Sequence, residues 1–212
     1  MRSIILILLA LLTLNSCAKE KTSVEVIEKK EIDLQMIDAY RDGIKALDSE
    51  DGLTAAKKFS EAELLFPQSE WAPKAALMAA YSYYSDEYYS DAIYEIERFI
   101  KTYPKHPRTD YAYYLLAIAY YNQIVDESKD LNSILKSKEY FQLIINDYPN
   151  TDYAIDSKFK LELINEVLAS KEMYLARYYF SKEKWIPAIN RFNTVVEKYN
   201  DTIFIEEALH RL

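Results

Sequence analysis

The chain is 212 residues long and acidic: 26 Lys and Arg stand against 34 Asp and Glu, with two His, for a formal net charge of −8. That balance argues against nucleic acid as a partner, because phosphates demand a basic surface. Two glycines and six prolines leave no room for a phosphate-cradling loop and little for β-turns, and a single cysteine excludes a disulfide framework, so an almost wholly helical fold is expected.

At the amino terminus Arg2 precedes an apolar run over residues 4–14, too short to span a bilayer. A positive start, an apolar stretch and then Leu14-Asn15-Ser16-Cys17 has the order of a secretory signal, and it resembles the bacterial lipobox. On that resemblance residues 1–16 are removed and Cys17 becomes the acylated first residue. Losing Arg2 takes the basic count to 25 against 34 acids, a net charge of about −9. Ala18 follows Cys17, where lipoproteins retained in an inner membrane would carry Asp, so an outer-membrane address facing the periplasm is expected. Residues 17–33 are charged and poor in large apolar side chains, and they read as a solvated tether.

Beyond the tether a proline-anchored turn recurs: Pro67-Gln68-Ser69-Glu70-Trp71-Ala72, Pro107-Arg108-Thr109-Asp110-Tyr111-Ala112 and Pro149-Asn150-Thr151-Asp152-Tyr153-Ala154, at intervals of 40 and 42 residues. Such a period means a stacked supersecondary unit. Small residues lie twelve apart at Gly43 and Ala55 and again at Ala80 and Ala92, as two closely packed antiparallel helices require. Each second helix continues with a large residue and a further apolar one, Ala55-Phe59-Ala62 and Ala92-Ile96-Phe99, and Pro67 and Pro104 then end it. These offsets resemble the tetratricopeptide pattern. In the third unit Ala117 and Tyr120 are on schedule, but Ser137, Phe141 and Ile144 come eight residues late, which predicts a longer loop over residues 126–133. Fourteen extra residues before Ala176 are nearly four helical turns, so one long helix over about 153–181 keeps its packing face. Ala188, Phe192 and Val195 complete the fourth pair. Asn200, Thr202 and Phe204 repeat the turn, and a fifth unit opens at Ile205 and stops mid-helix at Leu212. The domain reading is therefore two amino-terminal repeats over residues 34–110 and carboxy-terminal repeats three to five over 111–212, the fifth truncated.

Helical stacks make grooves for other proteins. Twenty tyrosines cluster along the chain, and neighbours such as Tyr83 and Tyr84 sit about 100° apart on a helix, so both cannot face the core. Some rings must line the groove, and Trp71, Tyr81 and Tyr84 are the candidates for gripping an extended, aromatic client. Chemistry has little to stand on. His106 lies in an interhelix turn and His210 at the chain end, neither beside a nucleophile or at metal-ligand spacing, so no enzyme activity, cofactor or metal is expected.

Lipobox, tether, the Phe66-Pro67 and Tyr148-Pro149 turns, the Ile96-Glu97-Arg98-Phe99-Ile100 core, the run from Lys171 to Tyr179, Ala188-Ile189-Asn190-Arg191-Phe192 and Glu206-Glu207-Ala208-Leu209 together resemble the BamD family, tetratricopeptide lipoproteins of the outer-membrane β-barrel assembly machinery. The resemblance implies an all-α superhelical solenoid of about five helix pairs. It also implies partners: a BamA-like barrel protein held through its last POTRA domain, other Bam lipoproteins, unfolded β-barrel clients in the amino-terminal groove, and the outer membrane through the lipid anchor. The family's stretch of apolar residue, Asn and Arg in the fourth repeat matches Ile189-Asn190-Arg191, so Asn190 and Arg191, with Arg177, are the residues implied for the BamA-like grip. Glu197 is a nearby acid that could instead hold Arg191 locally. A periplasm-facing tetratricopeptide lipoprotein that coordinates cell-envelope or peptidoglycan processes is the alternative the residues leave open.

Overall fold

The computed structural model describes residues 22–123 and 131–212. Among these residues there are nine helices and no strand: α1 (Thr22–Asp48), α2 (Gly52–Leu65), α3 (Ala72–Ser85), α4 (Tyr89–Thr102), α5 (Thr109–Asn122), α6 (Asn132–Asp147), α7 (Asp152–Ser181), α8 (Trp185–Lys198) and α9 (Ile205–His210). Each helix packs on the next. The remaining substantial contacts join α3 to α5 and α5 to α7, so the first helices of successive pairs line up along one inner face.

The pairs close where the twelve-residue spacing requires. Gly43 lies against the Phe59 ring, and a Cβ at Gly43 would stand 2.9 Å from that ring. Ala80, Ala92, Ala117, Ala176 and Ala188 are buried in the corresponding slots. In the third pair Ser137 takes the small-residue place and its Oγ donates to the Ala117 carbonyl at 3.0 Å, which satisfies a buried hydroxyl at the point of closest approach. Behind these small residues sit Phe59, Ile96, Phe141 and Phe192, all fully buried. The fourth pair's first helix is a single element of 30 residues, as the nearly integral number of turns predicts.

Two kinds of turn alternate. Within a pair, Glu50, Glu87 and Glu183 adopt positive φ (58°, 61° and 57°), and the following N–H reaches back five residues, Asp51 to Ala46, Tyr88 to Tyr83 and Lys184 to Tyr179, at 2.9–3.0 Å. This is the Schellman arrangement, here with glutamate where glycine is usual. Between pairs a hydroxyl caps the preceding carbonyl: Ser69 to Phe66, Thr109 to His106, Thr151 to Tyr148 and Thr202 to Tyr199, at 2.6–2.8 Å. Thr202 thus repeats the device although Asn200 replaces proline.

Two expectations need correction at their edges. The tether read over residues 17–33 is helical from Thr22 onward, because 22–48 contains no proline and its one glycine is Gly43. The loop expected over 126–133 falls mostly outside the described residues, but Ser133 belongs to α6, is buried, and donates to Gln123 Oε1 at 3.3 Å.

Candidate functional site

The first helices of four pairs bring their tyrosines to the inner face. One recess of about 360 Å³ is walled by Tyr40 of α1, Tyr81 of α3, Tyr111 of α5 and Tyr153 of α7, with Leu77 and Met78. Its rim carries Lys74, His106 and Arg108. A second recess of about 340 Å³ shares Tyr81 and Tyr111 and continues past Tyr84 and Tyr114 to Asn122, Asp156 and Lys160. The two form one groove.

Adjacent tyrosines divide between faces, as helical geometry demands. Tyr113 stacks on Tyr140 of its pair partner α6 at 6.2 Å, whereas Tyr114 meets Tyr153 of α7 at 4.9 Å. Tyr83 feels Glu95 and Asp91 of α4, whereas Tyr84 lies in the groove and its hydroxyl accepts from Asn122 Nδ2 at 3.1 Å. Among the described residues no tyrosine is fully buried. Burial pushes the phenol groups of Tyr84, Tyr111 and Tyr114 above the usual tyrosine range, and Tyr114 is helped by donating to Asp156 Oδ2 at 2.7 Å. All three rings are therefore neutral at physiological pH. They offer apolar faces and hydroxyls that donate and accept.

The structure brings the three groove candidates together. Tyr81 lines both recesses and Tyr84 the second. Trp71 stands edge-on to Tyr40 at 5.4 Å, with Lys74 Nζ 4.8 Å from its ring centroid, so it borders the first recess. Sequence reasoning missed Lys74, His106, Arg108, Asp156 and Lys160. They come from three separate segments, and no linear spacing signals them.

At the carboxy-terminal end, Asn190 and Arg191 of α8 border a recess of about 240 Å³ with Tyr179, Pro187 and Thr194. Arg191 Nη1 donates to both oxygens of Glu172 on α7, at 3.2 and 2.9 Å, so its local partner is Glu172 and not Glu197. Arg177 is not part of that recess. It pairs with Glu207 of α9, which also accepts from Arg211 Nε at 2.7 Å, and the Arg177 guanidinium above all holds the Glu207 carboxyl at about 2. Cys17 lies outside the described residues. Among the described residues no helix is long and apolar enough to cross a membrane, and no His, Cys, Asp and Glu group could hold a metal.

A family model described as "Outer membrane lipoprotein" (YfiO) matches residues 32–212. Among curated relatives, an "Outer membrane protein assembly factor BamD" of Caulobacter vibrioides is 36% identical over 197 residues, covering 92% of this chain and 63% of that protein. The protein of the same name from Rickettsia prowazekii is 37% identical over 201 residues, covering 95% and 78%. That from Neisseria gonorrhoeae is 29% identical over 221 residues, covering 99% and 82%. The chain thus spans less than two thirds of the Caulobacter relative's length. Because the family match runs from within α1 through all four pairs to the last residue, carrying both the tyrosine groove and the Asn190–Arg191 recess, this chain belongs to the YfiO/BamD family of outer membrane lipoproteins.

Proposed function

We propose that this chain is a lipid-anchored scaffold of the outer-membrane β-barrel assembly complex, which binds unfolded barrel proteins in its amino-terminal groove and a BamA-like POTRA domain at its carboxy-terminal repeats. The observation that carries this reading is the groove: tyrosine rings from four successive first helices, with hydroxyl and amide partners beside them. An extended strand with unpaired backbone and alternating aromatic side chains needs both kinds of contact. The relatives' shared name supports the assembly role. The work is binding, without a chemical step.

Cys17 is the anchor in this reading, and Cys17→Ser should move the protein from membranes to the soluble periplasm. Arg191, Asn190 and Arg177 form the BamA-like grip. Both bonds from Arg191 to Glu172 are donated by Nη1, which leaves Nε and Nη2 to meet an acidic partner. A desolvated interfacial charge pair costs about 2–5 kcal/mol when one partner is truncated, against under about 1 kcal/mol for an exposed one. Arg191→Ala should therefore weaken partner binding more than about thirtyfold, and a loss under about fivefold would assign it to the surface pair with Glu172. The decisive experiment is capture of the tagged chain from solubilised outer membranes. Co-purification with a large barrel protein and smaller lipoproteins is expected. Recovery of peptidoglycan-associated proteins in their place would establish the envelope-coordinating role.

A further inference from the structure

At each corner between helix pairs a hydroxyl donates to the carbonyl of a ring-bearing residue three positions earlier: Phe66, His106, Tyr148 and Tyr199. Three of those rings are carbocycles, and the one at the corner between α4 and α5 is an imidazole. Of the four, only that ring can change its charge near neutral pH.

His106 ties this corner together through its ring as well as its backbone. Its N–H donates to the Tyr103 carbonyl at 3.0 Å, and its carbonyl accepts the Thr109 hydroxyl at 2.6 Å and the Thr109 N–H at 3.0 Å. Its Nδ1 accepts the Arg108 N–H at 3.2 Å. Where Ser69 and Thr151 take an N–H of the following helix on their hydroxyls, the imidazole takes the one just before α5, and the Arg108 side chain makes no cap there. The ring also stands edge-on to Phe99, with centroids 5.4 Å apart, and Phe99 is fully buried in the second pair.

Around the imidazole, α1 presents Tyr40, α3 Lys74 and Tyr81, α5 Tyr111 and α7 Tyr153, and the corner itself presents Arg108. The Tyr103 hydroxyl, just past α4, is turned away to Glu63. Among the described residues lining this recess there is no carboxylate, and the charged groups that act on the ring, Lys74 and then Arg108, are both basic. Burial, the largest cause, works in the same direction, so the His106 pKa is held below the ordinary 6.5. A proton on Nδ1 would point a donor at the Arg108 N–H, itself a donor, and would add a third positive charge beside two others.

We propose that the α4–α5 corner is an acid-sensitive joint: neutral His106 fastens the start of α5 to the end of α4, and protonation at Nδ1 releases the Arg108 N–H and loosens the second repeat from the third. The joint operates whatever the groove binds. Because the folded chain disfavours the charged ring, the contribution of His106 is complete above the ordinary 6.5 and is lost as pH falls below it.

The test is hydrogen exchange in the full chain from about pH 7.5 to about pH 5, each rate divided by the intrinsic rate at that pH. Protection over residues 103–112 should fall at least about threefold relative to residues 148–154, whose corner carries Tyr148. His106→Asn keeps an acceptor near the place of Nδ1, and His106→Phe keeps a ring. Neither titrates, and both should hold the ratio constant. An equal response at the two corners, or a response that survives in both variants, would overturn the joint. Should both variants fail to fold, the proton can be followed directly, because His210→Gln leaves one imidazole in the chain. Its nuclear magnetic resonance signals should titrate below 6.5 together with the Arg108 amide, and Lys74→Gln should raise the midpoint. Titration at or above 6.5, or an Arg108 amide that does not respond, would overturn the proposal equally.

Discussion

The first two helix pairs and the fourth use the same repeat but place their polar groups differently. In the first two, Glu63 of α2 is almost buried and receives a two-pronged Arg98 from α4, at 2.8 and 2.6 Å, and the Tyr103 hydroxyl at 2.9 Å, so charge locks one repeat to the next. Around the fourth, the Arg177–Glu207–Arg211 and Arg191–Glu172 pairs are clearly more open to water. Tyr174, Tyr178, Trp185, Ile186 and Ile189 are all exposed within residues 174–189. The amino-terminal half uses its strong interactions internally and leaves a groove walled by tyrosine rings, with basic side chains at one rim. The carboxy-terminal half keeps ions and apolar side chains at the surface, where a partner protein can use them.

The largest expected effect tests whether the two halves are equally well packed despite that difference. Phe59 and Phe192 occupy the same slot and both are fully buried. Each change to Ala should cost about 3–5 kcal/mol of stability by denaturant unfolding. Because a solenoid's stability is a sum over neighbours, Phe192→Ala should speed hydrogen exchange chiefly in α7–α9 and leave α2–α5 protected. A cost under about 1 kcal/mol at Phe192 would mean that the fourth pair lacks a native core of its own.

The contrast between the ion pairs comes next. Arg98→Ala strands the Glu63 carboxylate with Tyr103 alone and should destabilise by about 3 kcal/mol. Arg191→Ala removes a pair whose arginine is 41% exposed and should cost under about 1 kcal/mol in the isolated chain. Similar costs for both, measured by urea unfolding, would erase the distinction drawn between the halves.

Repeat period, pair boundaries, the small-residue slots and the long α7 were all legible from spacing. Even Ser137, twenty residues after Ala117, fell into place, because helix packing reads spacing more strongly than loop length. The start of α1 was not legible. Local charge composition resembles a tether, and helix formation there is decided by the absence of proline and by continuity with a packed helix. The groove was half legible: Tyr81 and Tyr84 could be named because two neighbouring rings cannot share a face. Lys74, His106 and Arg108 could not, since only the superhelix brings an α3 side chain beside the turn that precedes α5. Arg191 found Glu172 rather than Glu197 for the same reason, as antiparallel pairing sets α8 against α7.

A smaller effect is expected from acid. The Glu207 carboxyl is held at about 2, against an ordinary 4.5, by its bonds from Arg177 and then Arg211, while partial burial works the other way. Its depressed folded value means the contribution is complete above the ordinary range and is lost as pH falls from about 4.5 through 2. Solvent screening at this partly exposed site limits it to under about 1 kcal/mol. Exchange in α9 should therefore quicken between those pH values before α2 and α4 respond. Glu207→Gln should remove the pH dependence, and exchange in α9 that stays unchanged across the window would show that the clasp does not hold α9.

The smallest effect concerns the turns inside the pairs, where the two halves should behave alike. Glu50, Glu87 and Glu183 all sit at φ near +60° with matching reach-back bonds, although two lie in the amino-terminal half and one in the other. A left-handed conformation costs a residue with a Cβ about 1–2 kcal/mol, and glycine removes that cost but gives back about 0.5–1 kcal/mol through its freer unfolded chain. Glu87→Gly and Glu183→Gly should each stabilise by about 0.5 kcal/mol, read as a small rise in melting temperature. Equality is the point of the comparison, since the turn is a backbone device indifferent to what surrounds it. A gain at Glu87 with a loss of more than about 1 kcal/mol at Glu183 would mean that the glutamate side chain itself supports the α7–α8 corner beside the Arg191 recess.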